Sequence, residues 1–158
     1  MKLDKLFAGL KRIANGDYVL EGDLICEDNL EIELDDRLVV RGKIEVKKSI
    51  IAKLSVIAGW GIKAGCGIEA GWGIKAGEGI EAGWGIKAKT FIHSEKRIFA
   101  GVSVYHTSAN CKKQIKCAEL RKGEICFGDL VIEQPVVEMT IAEIEAKLGI
   151  QNLKIKEQ

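Results

Sequence analysis

An aliphatic residue recurs at every sixth position through the middle of this chain: Leu38, Ile44, Ile50, Val56, Ile62, Ile68, Ile74, Ile80, Ile86, Ile92, Ile98 and Val104. Two residues after each stands a second, mostly small residue, as in Val40, Val46, Ala52, Ala58, Ala64, Ala70, Ala76, Ala82, Ala88, Ser94 and Ala100. In a strand, positions i and i+2 face the same side, so each Ile-x-Ala step turns two side chains inward and its middle residue towards water. The three residues that follow, Gly-x-Gly in the centre of the array, turn the chain onto its next face. Ten of the 18 glycines lie between Gly59 and Gly85, where corner dihedrals carry no steric cost. A helix is excluded there, because each interior glycine costs a helix about 1 kcal/mol. Upstream, Leu24-Ile25-Cys26 and Leu30-Glu31-Ile32 carry the same pattern, and a two-residue insertion near Asp35-Asp36 resets its phase.

The outward middle residues set the number of hexads per coil. They read Glu45, Ile51, Ile57, Lys63, Glu69, Lys75, Glu81, Lys87. Two hexads per coil would stack Lys63, Lys75 and Lys87 on neighbouring strands about 4.8 Å apart, and like charges placed directly opposite one another are unfavourable. Three hexads per coil place Lys63 between Glu45 and Glu81, and Glu69 beside Lys87. The pattern therefore predicts an all-β fold, a triangular β-solenoid of about 18 residues per coil with four to five coils. A flattened 12-residue coil is the alternative, since the Trp and Gly pattern itself repeats at twelve.

The ends read differently. Leu3, Leu6, Phe7, Leu10 and Ile13 share one helical face, and Asn15-Gly16 can end such a helix, so residues 1–16 are expected to form an N-terminal capping helix. A cap is a requirement of solenoids, whose terminal coils otherwise expose their core. The solenoid is expected over 17–106. Residues 107–158 are expected to form a small α+β tail, with strands at Glu124–Phe127 and Leu130–Ile132 and a break at Pro135. A helix over 140–149 opens on the capping box Thr140-Ile-Ala-Glu143, and a strand follows at Leu153–Ile155.

Composition narrows the function classes. Lys and Arg number 24 against 23 for Asp and Glu, a net charge of +1. That balance speaks against a duplex-DNA binder and against an acidic DNA mimic, although a local patch is compatible with it. No apolar run approaches the roughly 18–20 residues that cross a bilayer. Asp4, Lys5, Lys11 and Arg12 interrupt the apolar stretch that would make the N-terminus a signal peptide. Five cysteines, an odd number, without such a signal point to reduced thiols in a cytoplasm.

The run GWGIKAGCGIEAGWGIKAGEGIEAGWGIKA resembles the Gly-rich short-repeat proteins of Firmicutes bacteria and their phages. The resemblance covers residues 20–104, and the terminal MTIAEIEAKLGI with its following strand is similar to the tails of such proteins. It implies a solenoid fold and says little of function. By architecture the chain is similar to bactofilins, which polymerise end to end, and to hexapeptide-repeat acyltransferases. Phage inhibitors of bacterial defence, anti-CRISPR proteins among them, include compact chains with similarly repetitive sequences.

Candidate chemistry is sparse. Trp60, Trp72 and Trp84 take the slot two residues before the inward Ile, and Cys66 and Glu78 take it in alternate hexads. A slot that accepts Glu is not dry interior, so the three tryptophans are expected at partly exposed corners, where they pack on the tail or anchor a partner. Lys112, Lys113, Lys116, Arg121 and Lys122 form a basic stretch that fits contact with nucleic acid or an acidic partner, with a solvated loop as the favoured reading. His93 and His106 are weighed against the acyltransferase histidine and read as surface residues, since no loop interrupts the coils to build an acyl-carrier pocket. His106, Cys111, Cys117 and Cys126 lack the short gap between thiolates typical of zinc knuckles, so no metal is expected. Gly-x-Gly recurs five times without a helix, unlike a phosphate loop.

The expectation is thus a non-enzymatic protein-binding module without catalytic residues or cofactor. Its most concrete form is a phage or mobile-element inhibitor of a host defence protein or ribonucleoprotein such as CRISPR–Cas. The alternatives are a bactofilin-like scaffold and, more remotely, an acyltransferase; direct nucleic-acid binding is not expected, and a homodimer stays open.

Overall fold

A computed structural model of the chain describes residues 1–102 and 113–133. Strands β1 (Lys2–Leu3) and β2 (Leu10–Arg12) lie at the N-terminal end, ahead of the first coil of β3 (Tyr18–Leu20), β4 (Leu24–Cys26) and β5 (Leu30–Ile32). The second coil comprises β6 (Leu38–Val40), β7 (Ile44–Val46) and β8 (Ile50–Ala52). The third comprises β9 (Val56–Ala58), β10 (Ile62–Ala64) and β11 (Ile68–Ala70), and the fourth β12 (Ile74–Ala76), β13 (Ile80–Ala82) and β14 (Ile86–Ala88). Then follow β15 (Phe91–Ala100), β16 (Gln114–Cys117), β17 (Glu119–Phe127) and β18 (Asp129–Ile132).

These strands wind an all-β solenoid of about six turns with about 18 residues per turn. The register is parallel: Ile44 pairs with Ile62, Ile62 with Ile80 and Ile80 with Ile98. Three faces result. The first stacks β3, β6, β9, β12 and the start of β15. The second stacks β4, β7, β10, β13 and the end of β15. The third stacks β1, β5, β8, β11, β14, β16 and β18.

Inward columns form the core. Val56, Ile74, Ile92, Ile44, Ile80, Ile98, Ile50 and Ile115 are 0 % exposed, and the alanines two residues later are nearly as buried. A branched residue fills the middle of each face, and a methyl group suffices where the faces converge. The outward charges alternate as expected of a three-sided coil. Lys63 sits between Glu45 and Glu81 and reaches Glu81 at 3.0 Å, and Lys87 reaches Glu69 at 3.3 Å. The insertion near Asp35 also appears: Leu24, Tyr18 and Leu30 pair 20 positions ahead with Ile44, Leu38 and Ile50, and the extra residues turn Leu34 inward.

The N-terminal helix expected over residues 1–16 is not present. Leu3 is inward on β1, paired beside Ile32, whereas Leu6 is 92 % exposed, so the apparent helical stripe is not one buried face. Gly9 takes a φ of +85°, closing a turn that a helix interior cannot contain. Strand β2 folds back antiparallel on β3, with Arg12 opposite Tyr18. A helix of this length is marginal alone, and the open edges of β3 and β5 offer it backbone partners that extend the sheet instead. The segment still covers the first coil, because Phe7 and Leu10 pack on the core. The cap is pinned by the insertion: Asp35 accepts hydrogen bonds from Tyr18 and Lys5, both at 2.7 Å.

The solenoid also continues past the expected boundary at 106. Ile86 pairs with Ile115, so β16 continues the third face. Strand β17 then lies on β15 and β18 on β16, both parallel, which makes the expected tail strands further coils. Val104, His106, Cys111, Lys112, Pro135, the helix expected over 140–149 and the strand expected at 153–155 lie outside the described residues. No helix among the described residues is long and apolar enough to cross a membrane.

Candidate binding surface

Each tryptophan stands between two corner glycines, and the backbone of its corner is fixed by the coils on either side. At the corner between the first and second faces, Trp60 N–H donates to Gly42 at 3.2 Å, Glu78 N–H to Trp60 at 3.2 Å, and Lys96 N–H to Glu78 at 2.9 Å. Trp84 occupies the corner between the second and third faces, stacked on Cys66, and Trp72 the corner between the third and first, below Thr90. An 18-residue coil thus distributes the three over three corners. Their exposures are 62 % for Trp60, 56 % for Trp72 and 40 % for Trp84.

Trp60 borders a concavity. A groove of about 830 Å³ runs over the second face, with Trp60 and Phe99 among its lining. Ion pairs form its walls: Lys43–Glu45 at 2.7 Å, Lys63–Glu81 at 3.0 Å, Lys96–Glu78 at 2.6 Å, and Lys122 with Glu95. Lys43, Lys63, Lys96, Arg97 and Lys122 line it together with Glu45, Glu78, Glu81, Glu95 and Glu124, so the groove presents both signs and no net charge. Lys122 and, to a lesser degree, His93 stabilise the ionised Glu95, whose carboxyl is held down to about 2. Lys43 likewise holds the Glu45 carboxyl below its ordinary value.

The described members of the basic stretch, Lys113, Lys116, Arg121 and Lys122, meet different neighbours. Lys113 and Lys116 lie with the third face, where Lys113 approaches Asp129 at 3.9 Å and Lys116 reaches Glu133 at 2.9 Å. The Arg121 guanidinium stacks 4.0 Å from the Phe91 ring centroid and binds Glu119 at 2.9 Å. Lys122 belongs to the groove wall. A run of strands that turns a corner every few residues scatters charges that are contiguous in sequence, which contiguity alone conceals.

His93 points outward from the first face beside Lys75 and meets the groove-wall residue Glu95 at 2.7 Å without itself lining the groove. Cys26 and Cys117 are buried at strand ends, Cys66 sits at a corner and Cys126 is exposed. Burial pushes the Cys117 thiol up. No group of three His, Cys, Asp or Glu among the described residues is placed to hold a metal ion.

Sequence reasoning missed the groove and Phe99. The signal was present: aligning corner residues at the 18-residue period brings Gly42, Trp60, Glu78 and Lys96 into one column and places Phe99 above Glu81. Scans against protein-family models, curated proteins and solved structures find no match to this chain.

Proposed function

We propose that this chain is a non-enzymatic protein-binding module whose binding surface is the second face, with Trp60 as anchor. The observation that carries the reading is an indole 62 % exposed at the rim of a groove on a hydrogen-bonded, rigid face. Exposed tryptophan beside a concavity is the residue type in which binding energy concentrates, and a fixed corner loses little entropy on engagement. Trp72 and Trp84 face other directions, so a single partner seated on the second face leaves at least one of them untouched.

The test is capture of a partner from the native host by the wild-type chain, followed by affinity measurement with each variant. Trp60→Ala should cost about 2 kcal/mol or more, and Trp72→Ala close to nothing. Equal affinities for all three single variants would sink the reading. Its most concrete form, an inhibitor of a host defence complex such as CRISPR–Cas, rests on the repeat resemblance and stands only if the captured protein belongs to such a complex.

A second reading, end-to-end assembly in the manner of bactofilins, draws on one observation: β4 ends its sheet unpaired on one side, with Ile25 58 % exposed. The antiparallel β2 and the packed Phe7 close the neighbouring part of that end and favour a discrete particle. Filaments in electron micrographs would reverse that preference.

A further inference from the structure

The two ends of the described solenoid finish differently. In the first coil the inward side chains are covered: Leu20, Leu24, Cys26, Leu30 and Ile32 are no more than 8 % exposed, with Phe7 and Leu10 packed against the same core. In the last coil they are not. Leu130 stands in register with Ile115 and Ile132 with Cys117, the inward column of the third face. Yet they are 42 % and 48 % exposed, where Ile115 and Cys117 are 0 % and 1 %. Leu120 and Ile125, in register with Ile92 and Ile98, are only partly buried. No strand stacks beyond β17 and β18 among the described residues, so these four inward side chains and two strand edges form an open end. Such an end is a liability, since bare core and unpaired edge both invite association, and solenoids cover it.

The strands stop at Ile132, and the sequence carries on with residues 134–158. There Ile141, Ile144 and Leu148 recur at helical spacing behind the capping box Thr140-Ile-Ala-Glu143. That is an apolar stripe with an open apolar surface a few residues away.

We propose that residues 134–158 of this same chain cap the open end, with Ile141, Ile144 and Leu148 laid on Leu120, Ile125, Leu130 and Ile132. The inference is independent of the Trp60 groove. The dimensions agree. A helix of ten residues spans about 15 Å, and one six-residue side of a coil is at most about 20 Å long. Residues 134–139 supply up to about 20 Å of extended chain, which reaches any side of the coil from β18. Tethering favours this occupant over a second copy, because a segment attached by a short linker acts at a millimolar effective concentration. A second copy stacked head to tail would bring its N-terminal end, whose core is already covered.

Hydrogen exchange of the full chain, read by mass spectrometry, tests the assignment. Ile144→Asp combined with Leu148→Asp should speed exchange across residues 119–132 at least about tenfold and leave residues 44–64 unchanged. Ile132→Asp should speed exchange across residues 140–149 in return, which a segment folded only on itself would not show. Ala146→Lys, opposite the apolar stripe, should change neither. A synthetic peptide of residues 134–158 added to the doubly substituted chain should restore slow exchange, and a peptide carrying the same two aspartates should not. Should the doubly substituted chain precipitate, Ile144→Ala gives the same comparison at smaller amplitude.

Exchange across residues 119–132 that is indifferent to the substitutions at 144 and 148 would overturn the proposal. So would a wild type that sediments as two chains and loses this protection on dilution, since a second copy would then cover the end.

Discussion

Gly65 and Gly67 flank the same corner residue, Cys66, yet an added methyl group meets different surroundings at each. A Cβ on Gly65 would stand 1.9 Å from the carbonyl oxygen of Lys47 in the preceding coil. A Cβ on Gly67 finds nothing nearer than the Gly85 carbonyl oxygen at 3.4 Å, an ordinary contact. To relieve the first clash the coils must separate by more than an ångström. The same backbone holds them together there, through Gly65 N–H to Val46 at 2.9 Å and Cys66 N–H to Lys48 at 3.0 Å. Stretching two such bonds forfeits about 1 kcal/mol each, and overpacking strain adds to that. Lys47 and Lys89 occupy the same step in other coils, so the corner can be built with a side chain, and the expected cost of Gly65→Ala is about 2 kcal/mol. Gly67→Ala strains nothing and restricts the unfolded chain, a gain of up to about 1 kcal/mol. For a chain of this size, 1 kcal/mol moves the thermal midpoint by about 2–4 °C, so the two variants should melt several degrees on opposite sides of the parent. Thermal and urea unfolding followed by circular dichroism measure the difference. Two variants within about 0.5 kcal/mol of each other would refute the claim that inter-coil backbone contact selects the first glycine of each pair.

Three further outcomes follow from the same geometry. Glu69→Lys should cost a few tenths to about 1 kcal/mol, since the Lys87–Glu69 pair is more than half exposed, and adding Lys87→Glu should restore most of the loss in chemical denaturation. Arg37 grips Asp17 through two hydrogen bonds at 2.7 and 3.0 Å while Asp17 is only 5 % exposed, so Arg37→Ala should cost about 2 kcal/mol by stranding a buried carboxylate. Asp17→Asn added to that variant should recover part of the loss, and an unchanged midpoint for Arg37→Ala would remove the pair from the account of the cap. Glu95, Asp35 and Glu45 titrate below their ordinary values when folded, so their contribution is complete above about pH 5 and is lost as pH falls towards about 2. Scanning fluorimetry across that range should show a falling midpoint, with Glu95→Gln flattening the curve.

The core and coil size were legible because a single physical demand, inward Ile and Ala with outward alternating charge, recurs in every hexad. Lys63 alone sufficed to choose three sides, since its stacking partners Glu45 and Glu81 exist only at that period. The N-terminus misled because helical periodicity over Leu3, Leu6, Phe7 and Leu10 competes with something local patterning cannot register: open strand edges one coil away. The continuation through β16–β18 was obscured by the departure from the hexad phase after Gly101, which leaves Ile115, Leu120, Ile125 and Leu130 spaced by five rather than six. The basic stretch looked concentrated for the same reason in reverse. Its members are neighbours along the chain, but Lys116 and Arg121 lie on different strands, and a register shift within β17 turns Arg121 towards Phe91 and Lys122 towards Glu95.

Two periods coexist in the central array, and they do not agree. The letters GWGIKAG-x-GIEA repeat every 12 residues, whereas the fold returns to the same face every 18. A gene carrying such near-identical units is prone to slip by one of them during copying. Loss or gain of a single 12-residue unit would shift every later strand by two faces, carrying each downstream tryptophan to a different corner, while lysines and glutamates stay opposed because their signs alternate hexad by hexad. Only a change of three units, 36 residues or two complete coils, returns both patterns to phase. Length variants that survive selection should therefore differ in steps of two coils, with the protein acting as a vernier that tolerates some slippages and rejects others.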